Sequence, residues 1–237
     1  MPLDDSDVQD RITTFWNTIA RYYDSDPGNV PSLESAEYEA WIRAIKRFLP
    51  PQPADVLDIG TGTGFVALIA SQLGHRVTGL DLSTAMLAEA RMQADRRGLK
   101  ASFRIGDAVA PPIDEVSLDA IVCRHFLWTL REPEVALGNW RRLLRPNGRV
   151  VVIDAFLANL TDQSAPEEGA DLFERCYTDR TREALPAMRW ERVEPVADLL
   201  IGAGFSEVTV SDLADIHKLA EKPAFTQPWY VATARRG

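Results

Sequence analysis

Three glycines at alternate positions, Gly60, Gly62 and Gly64, end the apolar run VLDI, and the segment behind them, FVALIASQLG, has helical spacing and stops at Gly74. A strand, a tight turn and a helix start follow from that order. Glycine adopts positive φ freely and has no Cβ. Such a turn can therefore bring backbone N–H groups close to a ligand at the positive end of the helix. Gly60, Thr61, Gly62 and Gly64 are candidate cofactor contacts, although the same turn also serves where a helix merely packs tightly on a strand. RVTGLD then reads as a second strand ending in Asp81, and a carboxylate there can accept hydrogen bonds from both hydroxyls of a ribose.

The elements that must position these groups alternate along the chain. SerThrAlaMet from Ser83 starts a helix that runs to Gly98; ASFRIGDA is a third strand leading to Asp107; LDAIVC is a fourth, nearly all apolar, ending at Arg124, His125 and Phe126. A helix with Pro133 in its first turn ends at Asn147–Gly148, and RVVVID is a fifth strand ending at Asp154. PVADLLIGAGF, SEVTVSDL and PWYVATARR supply one more helix and two last strands. Before the core, VQDRITTFWNTIARYYD has aromatic and apolar residues at helical spacing, and Ser32 is a suitable N-cap for a second helix through Tyr38, Trp41 and Ile45.

Right-handed crossovers bring the ends of parallel strands to one edge, where open α/β sheets bind ligands. That rule separates His125, at the ligand edge, from His75, which precedes the second strand and falls at the opposite edge. Asp154 at the fifth strand end either meets a substrate or caps the next segment.

VLDIGTGTG, with Asp58 inside the strand, and the Asp81 strand end resemble the first two motifs of the class I S-adenosylmethionine-dependent methyltransferase superfamily. The glycines read GxGxG, not the GxGxxG of nicotinamide folds. The match extends over roughly residues 54–154, including the RPNG stretch before the fifth strand. The resemblance implies an α/β, Rossmann-like, doubly wound sheet of seven strands, mostly parallel with an antiparallel last strand. It implies S-adenosyl-L-methionine as cofactor, leaving as S-adenosyl-L-homocysteine. It also implies that Tyr22 or Tyr23, beside Asp24, approaches the methionine part, that Leu82 and Met86 wall the adenine, and that Asp107 with the N–H of Ala108 reads the adenine edge. The resemblance further implies that Arg124 contributes its backbone carbonyl, rather than its charge, to the cofactor ammonium. His125 is the candidate base for the acceptor, against the alternative of a ring that only packs at the site.

The expected organisation is one domain: an N-terminal helical lid over 1–53, the cofactor core over 54–154, a helical lid insertion over 155–192 after strand five, and a C-terminal helix and strands over 193–237. The acceptor belongs between the first helices and the insertion. Trp16, Tyr22, Phe156, Tyr177 and Trp190 are the candidate substrate contacts, suited to a flat, apolar small molecule. Glu167, Glu168, Asp171 and Glu174 read best as a solvated acidic face.

At 237 residues with a net charge of −9, the chain holds one large α/β domain and lacks the cationic surface that phosphate backbones require. Cys123 and Cys176 stand alone, so neither a disulfide framework nor a zinc site is expected, and no metal is assigned. The N-terminus is acidic and no apolar run has membrane-span length, so a soluble, cytoplasmic protein without membrane or nucleic-acid partners is expected. The oligomeric state is open between monomer and homodimer. The function expected is methyl transfer to nitrogen, oxygen or carbon of a small metabolite or quinone-like ring. The rivals are an NAD(P)-dependent oxidoreductase and a non-catalytic, cofactor-binding regulator.

Overall fold

A computed structural model describes residues 5–156, 167–220 and 229–237. Strands β1 (Asp55–Ile59), β2 (Arg76–Asp81), β3 (Ala101–Ile105), β4 (Leu118–Arg124), β5 (Leu144–Asp154), β6 (Ser206–Asp212) and β7 (Tyr230–Arg235) form one sheet in the order β3-β2-β1-β4-β5-β7-β6. The pairs from β3 to β5 are parallel, and β7 runs antiparallel to both neighbours. The expected seven-stranded, mostly parallel sheet with an antiparallel last strand is the observed one.

Successive residues of a strand face opposite sides, and the central strands are apolar on both because helices cover both. On one side Val56, Val122, Val151 and Ile153 pack with Trp41 and Ile45 of α2 (Ala36–Phe48) and with Phe65, Leu68 and Ile69 of α3 (Phe65–Gln72). On the other, Leu57, Ile121, Val150 and Val152 meet Leu137 and Trp140 of α5 (Pro133–Leu143) and Val196 and Leu200 of α8 (Glu194–Gly202). Helix α4 (Thr84–Arg96) begins after β2. Strand order reverses between β1 and β4, which opens a crevice at their C-terminal ends.

Two boundaries differ from expectation. Helix α2 is capped by Ser35, whose Oγ accepts from the Tyr38 N–H at 3.1 Å, while Ser32 lies a turn earlier and its carbonyl takes the Ser35 hydroxyl. Helix α5 stops at Leu143, before Asn147–Gly148, because Leu144 pairs with Leu118 and β5 begins there; the register then shifts, with Asn147 at φ 63°.

A third cluster sits above the crevice. Val8, Ile12 and Phe15 of α1 (Asp5–Tyr23) pack with Trp128, Cys176, Tyr177 and Leu185. The insertion contributes α6 (Glu167–Cys176), α7 (Asp179–Glu183) and a 3₁₀ turn over Pro186–Arg189. Residues 157–166 of the expected insertion, and 1–4 of the expected N-terminal lid, lie outside the described residues. A further helix, α9 (Ala214–Leu219), precedes β7. Among the described residues, no helix is long and apolar enough to cross a membrane.

Candidate active site

A cleft of about 940 Å³, its open mouth included, runs along the C-terminal ends of β2, β1 and β4. Its floor is the turn Gly60–Thr63, with Gly60 at φ 65° and Gly62 at φ 54°. The two glycines are needed for different reasons. A Cβ on Gly60 would stand 2.1 Å from Cδ2 of Phe126, so its absence lets the β4 turn close over the β1 turn. Among the described residues, a Cβ on Gly62 would meet no atom within 4 Å. Gly64 caps α3 against Ala90 and Phe103 and does not line the cleft.

The carboxylates divide into builders and readers. Asp58 is 2% exposed, and its Oδ2 accepts from the Thr61 hydroxyl at 2.7 Å and the Ala67 N–H at 3.0 Å, fastening the turn to the first turn of α3. Burial raises its pKa to about 7, opposed by those two bonds. Asp81 takes the Gly62 N–H on Oδ2 at 2.9 Å and the Ser83 N–H on Oδ1 at 2.8 Å. Burial raises its pKa as well, with the neighbouring N–H groups pulling the other way. Asp107 accepts from the Val109 N–H at 2.9 Å, and Arg131 stands 3.7 Å from its Oδ2. Asp81 and Asp107 line the same cleft, with Leu82, Met86 and Ala108 also on its wall.

At the end of β4 the chain turns sharply. His125 has φ 53°, a conformation that costs a non-glycine residue roughly 1–3 kcal/mol and is held only where neighbours enforce it. Its N–H donates to the Ile153 carbonyl at 2.9 Å, and its own carbonyl accepts from the Trp128 indole at 3.2 Å. Asp154 resolves as a builder: its Oδ2 accepts from the N–H groups of Phe126 and Leu127, and its Oδ1 from that of Ala155. Burial raises its pKa to about 7. Burial, and then the Arg124 charge, lower His125 to about 3, so its ring is neutral over the physiological range.

Arg124 also lines the cleft. Its guanidinium lies 4.5–4.8 Å from the ring centres of Trp229, Phe65 and Trp41, donates to the Asn29 carbonyl at 3.0 Å, and has a buried Nε without a hydrogen-bond partner among the described residues. Tyr23 lines the cleft near it, and burial raises its phenol pKa. Tyr22 is 51% exposed, lies under Arg21 at 4.5 Å and does not line the cleft.

Of the aromatic residues assigned to the acceptor, Trp16 lines the cleft. Tyr177 stands directly behind it: fully buried, its hydroxyl accepts from the Trp16 indole at 3.1 Å and pairs with the Thr129 hydroxyl at 2.8 Å. Phe156 stacks on Tyr230, ring centres 5.0 Å apart, and Trp190 packs against the α5–α8 core; neither lines the cleft. The side chains of Glu167, Glu168 and Asp171 lie outside the described ones, and Glu174 is exposed and paired with Arg182. Gln9, Ile12, Thr13, Ser83, Thr129 and Leu130 are among further lining residues that were not expected. Gln9, Ile12, Thr13 and Trp16 fall at helical spacing on α1, which was the available signal.

The turn fits a nucleoside cofactor: Gly62 leaves room where any side chain would stand, and Asp81 and Asp107 face one cleft beside an apolar wall. The sheet order and this cleft define a doubly wound α/β protein of the nucleoside-cofactor class. A family model for the methyltransferase domain matches residues 57–152. The chain is 38% identical over 114 residues to a demethylmenaquinone methyltransferase of Thermus thermophilus, covering 47% of this chain and 52% of that protein. It is 32% identical over 178 residues to the demethylmenaquinone methyltransferase of Mycolicibacterium gilvum, covering 75% and 70%. A solved S-adenosylmethionine-dependent methyltransferase from Aquifex aeolicus superposes with a TM-score of 0.65 at 20% identity, covering 93% of this chain and 98% of that one. The chain belongs to the class I S-adenosylmethionine-dependent methyltransferase superfamily. It spans about half the length of the Thermus relative it matches.

Proposed function

We propose that this protein transfers a methyl group from S-adenosyl-L-methionine to a quinone-like aromatic ring, working in the cytoplasm on a small-molecule acceptor. The observation that carries the reading is the line of Asp58, Asp81 and Asp107 along one cleft floored by the open Gly62 turn. The printed names of the relatives support the acceptor class. When bound, the cofactor supplies a methyl group already activated on a sulfonium, so the protein need only align the acceptor and exclude water.

In this reading Gly60, Thr61 and Gly62 hold the cofactor chain, Asp81 accepts from its ribose, and Leu82 and Met86 cover its adenine. Asp107 and Ala108 read the adenine edge, and Tyr23 and the Arg124 carbonyl meet the amino-acid end. Trp16, backed by Tyr177, is the flat wall for the ring. His125 is the proton acceptor. Its low basicity bears on the acceptor atom, because a weak base suffices only when the proton leaving the methylated acceptor is itself strongly acidic. A ring carbon that has gained methyl and still carries its hydrogen meets that condition. A methylated aliphatic amine, an ammonium ion that holds its proton tightly, does not.

The test is transfer of labelled methyl from the cofactor to reduced, unmethylated quinone headgroups, with aliphatic alcohols and amines as controls, beside calorimetry with S-adenosylhomocysteine. Label on the ring carbon is expected. Binding without transfer to any acceptor would favour the non-catalytic reading, and absence of binding would end both.

A further inference from the structure

Helix α1 is joined to the ribose carboxylate by one side chain that does not line the cleft. Asn17 Oδ1 accepts from the Ser83 hydroxyl at 2.8 Å and from the Ala85 N–H at 3.1 Å. The proton directions are fixed by the partners. Ala85 N–H can only donate, so the Asn17 atom facing it is the oxygen. The Ser83 oxygen already accepts from the Met86 N–H at 3.1 Å as the N-cap of α4, so its hydroxyl proton goes to Asn17. The N–H of the same Ser83 donates to Asp81 Oδ1, and Asp81 Oδ2 takes the Gly62 N–H. One connected path therefore runs from α1 through the start of α4 to both oxygens of Asp81 and the glycine turn.

The α1 face beside this path carries Gln9, Ile12, Thr13 and Trp16 into the cleft, and a second tie, Gln93 to Asp24 at 3.1 Å, holds the far end of α1 along α4. An oxygen at the start of α4 satisfies N–H groups that have no partner within the helix and meets the positive end of its dipole. Ser83 alone caps one of them, and Asn17 supplies the acceptor for another.

We infer that Asn17 is a positioning residue that couples cofactor binding to the acceptor wall. Docking of α1 places Asn17 on Ser83 and Ala85, which sets Asp81 for the ribose; conversely, a ribose held on Asp81 keeps α1, and with it Trp16, in place. The inference rests on the proposed ribose role of Asp81, but the linkage between α1 and the start of α4 can be measured without any cofactor.

Asn17 is exposed, so its substitution leaves the core untouched. The variants are Asn17→Leu, near in size and without an acceptor, and Asn17→Asp, which keeps the oxygen and suits a helix N-terminus. Amide exchange on the protein without cofactor is expected to quicken at Ala85 and along α1 in Asn17→Leu and to remain as in the parent in Asn17→Asp. S-adenosylhomocysteine affinity is expected to fall about three- to tenfold in Asn17→Leu, the range for one or two neutral hydrogen bonds, and to be restored by Asn17→Asp. KM for the acceptor is expected to rise with it, at similar kcat. A destabilised but uncoupled helix would lower the melting temperature and leave affinity below that temperature unchanged, and that result overturns the inference. So does Asn17→Asp behaving like Asn17→Leu. If the parent protein does not bind S-adenosylhomocysteine, the functional reading fails, while unchanged exchange in Asn17→Leu still refutes the coupling by itself.

Discussion

Adding one methyl group at Gly60 and at Gly62 separates the turn's structural job from its binding job. At Gly62 the backbone has φ 54° and the new Cβ meets none of the described residues within 4 Å, so Gly62→Ala incurs only the left-handed backbone penalty, roughly 1–2 kcal/mol. At Gly60 the same backbone penalty applies at φ 65°, and the Cβ also overlaps three ring atoms of Phe126, at 2.1, 2.6 and 2.7 Å. That ring is partly buried against the β1–β4 core and must be displaced, adding about 1–3 kcal/mol of overpacking strain. Each kcal/mol lowers the melting temperature of a chain this size by about 2–4 °C. Gly60→Ala should therefore melt several degrees below Gly62→Ala. Affinity for S-adenosylhomocysteine should run the other way relative to stability. The Gly62 methyl group enters the cleft beside Asp81, and a loss of about 1.5–3 kcal/mol is expected, the size of a displaced charged hydrogen bond. Thermal melts and calorimetry on the two variants check both orders. Unchanged affinity in Gly62→Ala would show that the turn does not seat the cofactor, and equal melting temperatures would show that the Phe126 contact does not require glycine.

Asp81→Ala should weaken S-adenosylhomocysteine by about 1.5–3 kcal/mol and also lower the melting temperature, because the N–H groups of Gly62 and Ser83 lose their acceptor, read by the same calorimetry and thermal melts. Tyr177→Phe leaves the Trp16 indole and the Thr129 hydroxyl without their shared partner, so a stability loss of about 1–3 kcal/mol and a higher acceptor KM are expected in urea melts and steady-state kinetics. His125→Gln should lower turnover about 10²-fold or more at unchanged cofactor affinity; unchanged turnover would reduce His125 to alignment. The pH dependence of stability has a definite sign. Asp58 and Asp154 titrate at about 7 in the fold against 3.8 in the open chain, so between those values the folded state holds the extra protons, and stability falls as pH rises through about 7. His125, lowered from 6.5 to about 3, acts oppositely but only below 6.5. Urea melts should therefore show a decline from pH 6.5 to 8, flattened in Asp154→Asn; a rise over that interval would contradict the assignment.

The sheet was legible because its signals are local: short apolar strands, helix spacing and terminal glycines repeat until only one winding accommodates them. The cleft floor followed from strand ends alone, which is why Asp81, Asp107 and His125 share it. The wall proposed for the acceptor was less legible because it depends on which way rings face. Tyr23 lies in line with Ile12 and Trp16 on the face of α1 that lines the cleft, whereas Tyr22, one residue and about 100° round from Tyr23, falls off that face and stays outside with Arg21. Phe156 follows β5 and is claimed by Tyr230, since the antiparallel register sets Asp154 opposite that residue. Asn17 carried no signal at all, because its partners belong to a helix more than sixty residues away along the chain.

The same contrast explains how the cleft distinguishes its cofactor. Glycine spacing separates GxGxG from the dinucleotide fingerprint on paper, but the physical discrimination lies in what occupies the start of α3. A dinucleotide places its pyrophosphate on the N–H groups of that helix and relies on its positive end. Here Asp58 reaches the Ala67 N–H from beneath and fixes the Thr61 hydroxyl, so a carboxylate of the chain already faces that helix end, and Asp81 takes the Gly62 N–H beside it. Phosphate charges placed on that helix end would meet the buried Asp58 carboxylate that already bonds the Ala67 N–H. A cofactor that is cationic at sulfur meets attraction from Asp58 and Asp81, which lowers the cost of keeping them ionised. Proton release on S-adenosylmethionine binding near pH 7, and less of it with the uncharged sulfur of S-adenosylhomocysteine, follows from that balance. Calorimetry in buffers of different ionisation enthalpy measures it, and equal release for the two ligands would show that Asp58 and Asp81 do not sense the sulfonium.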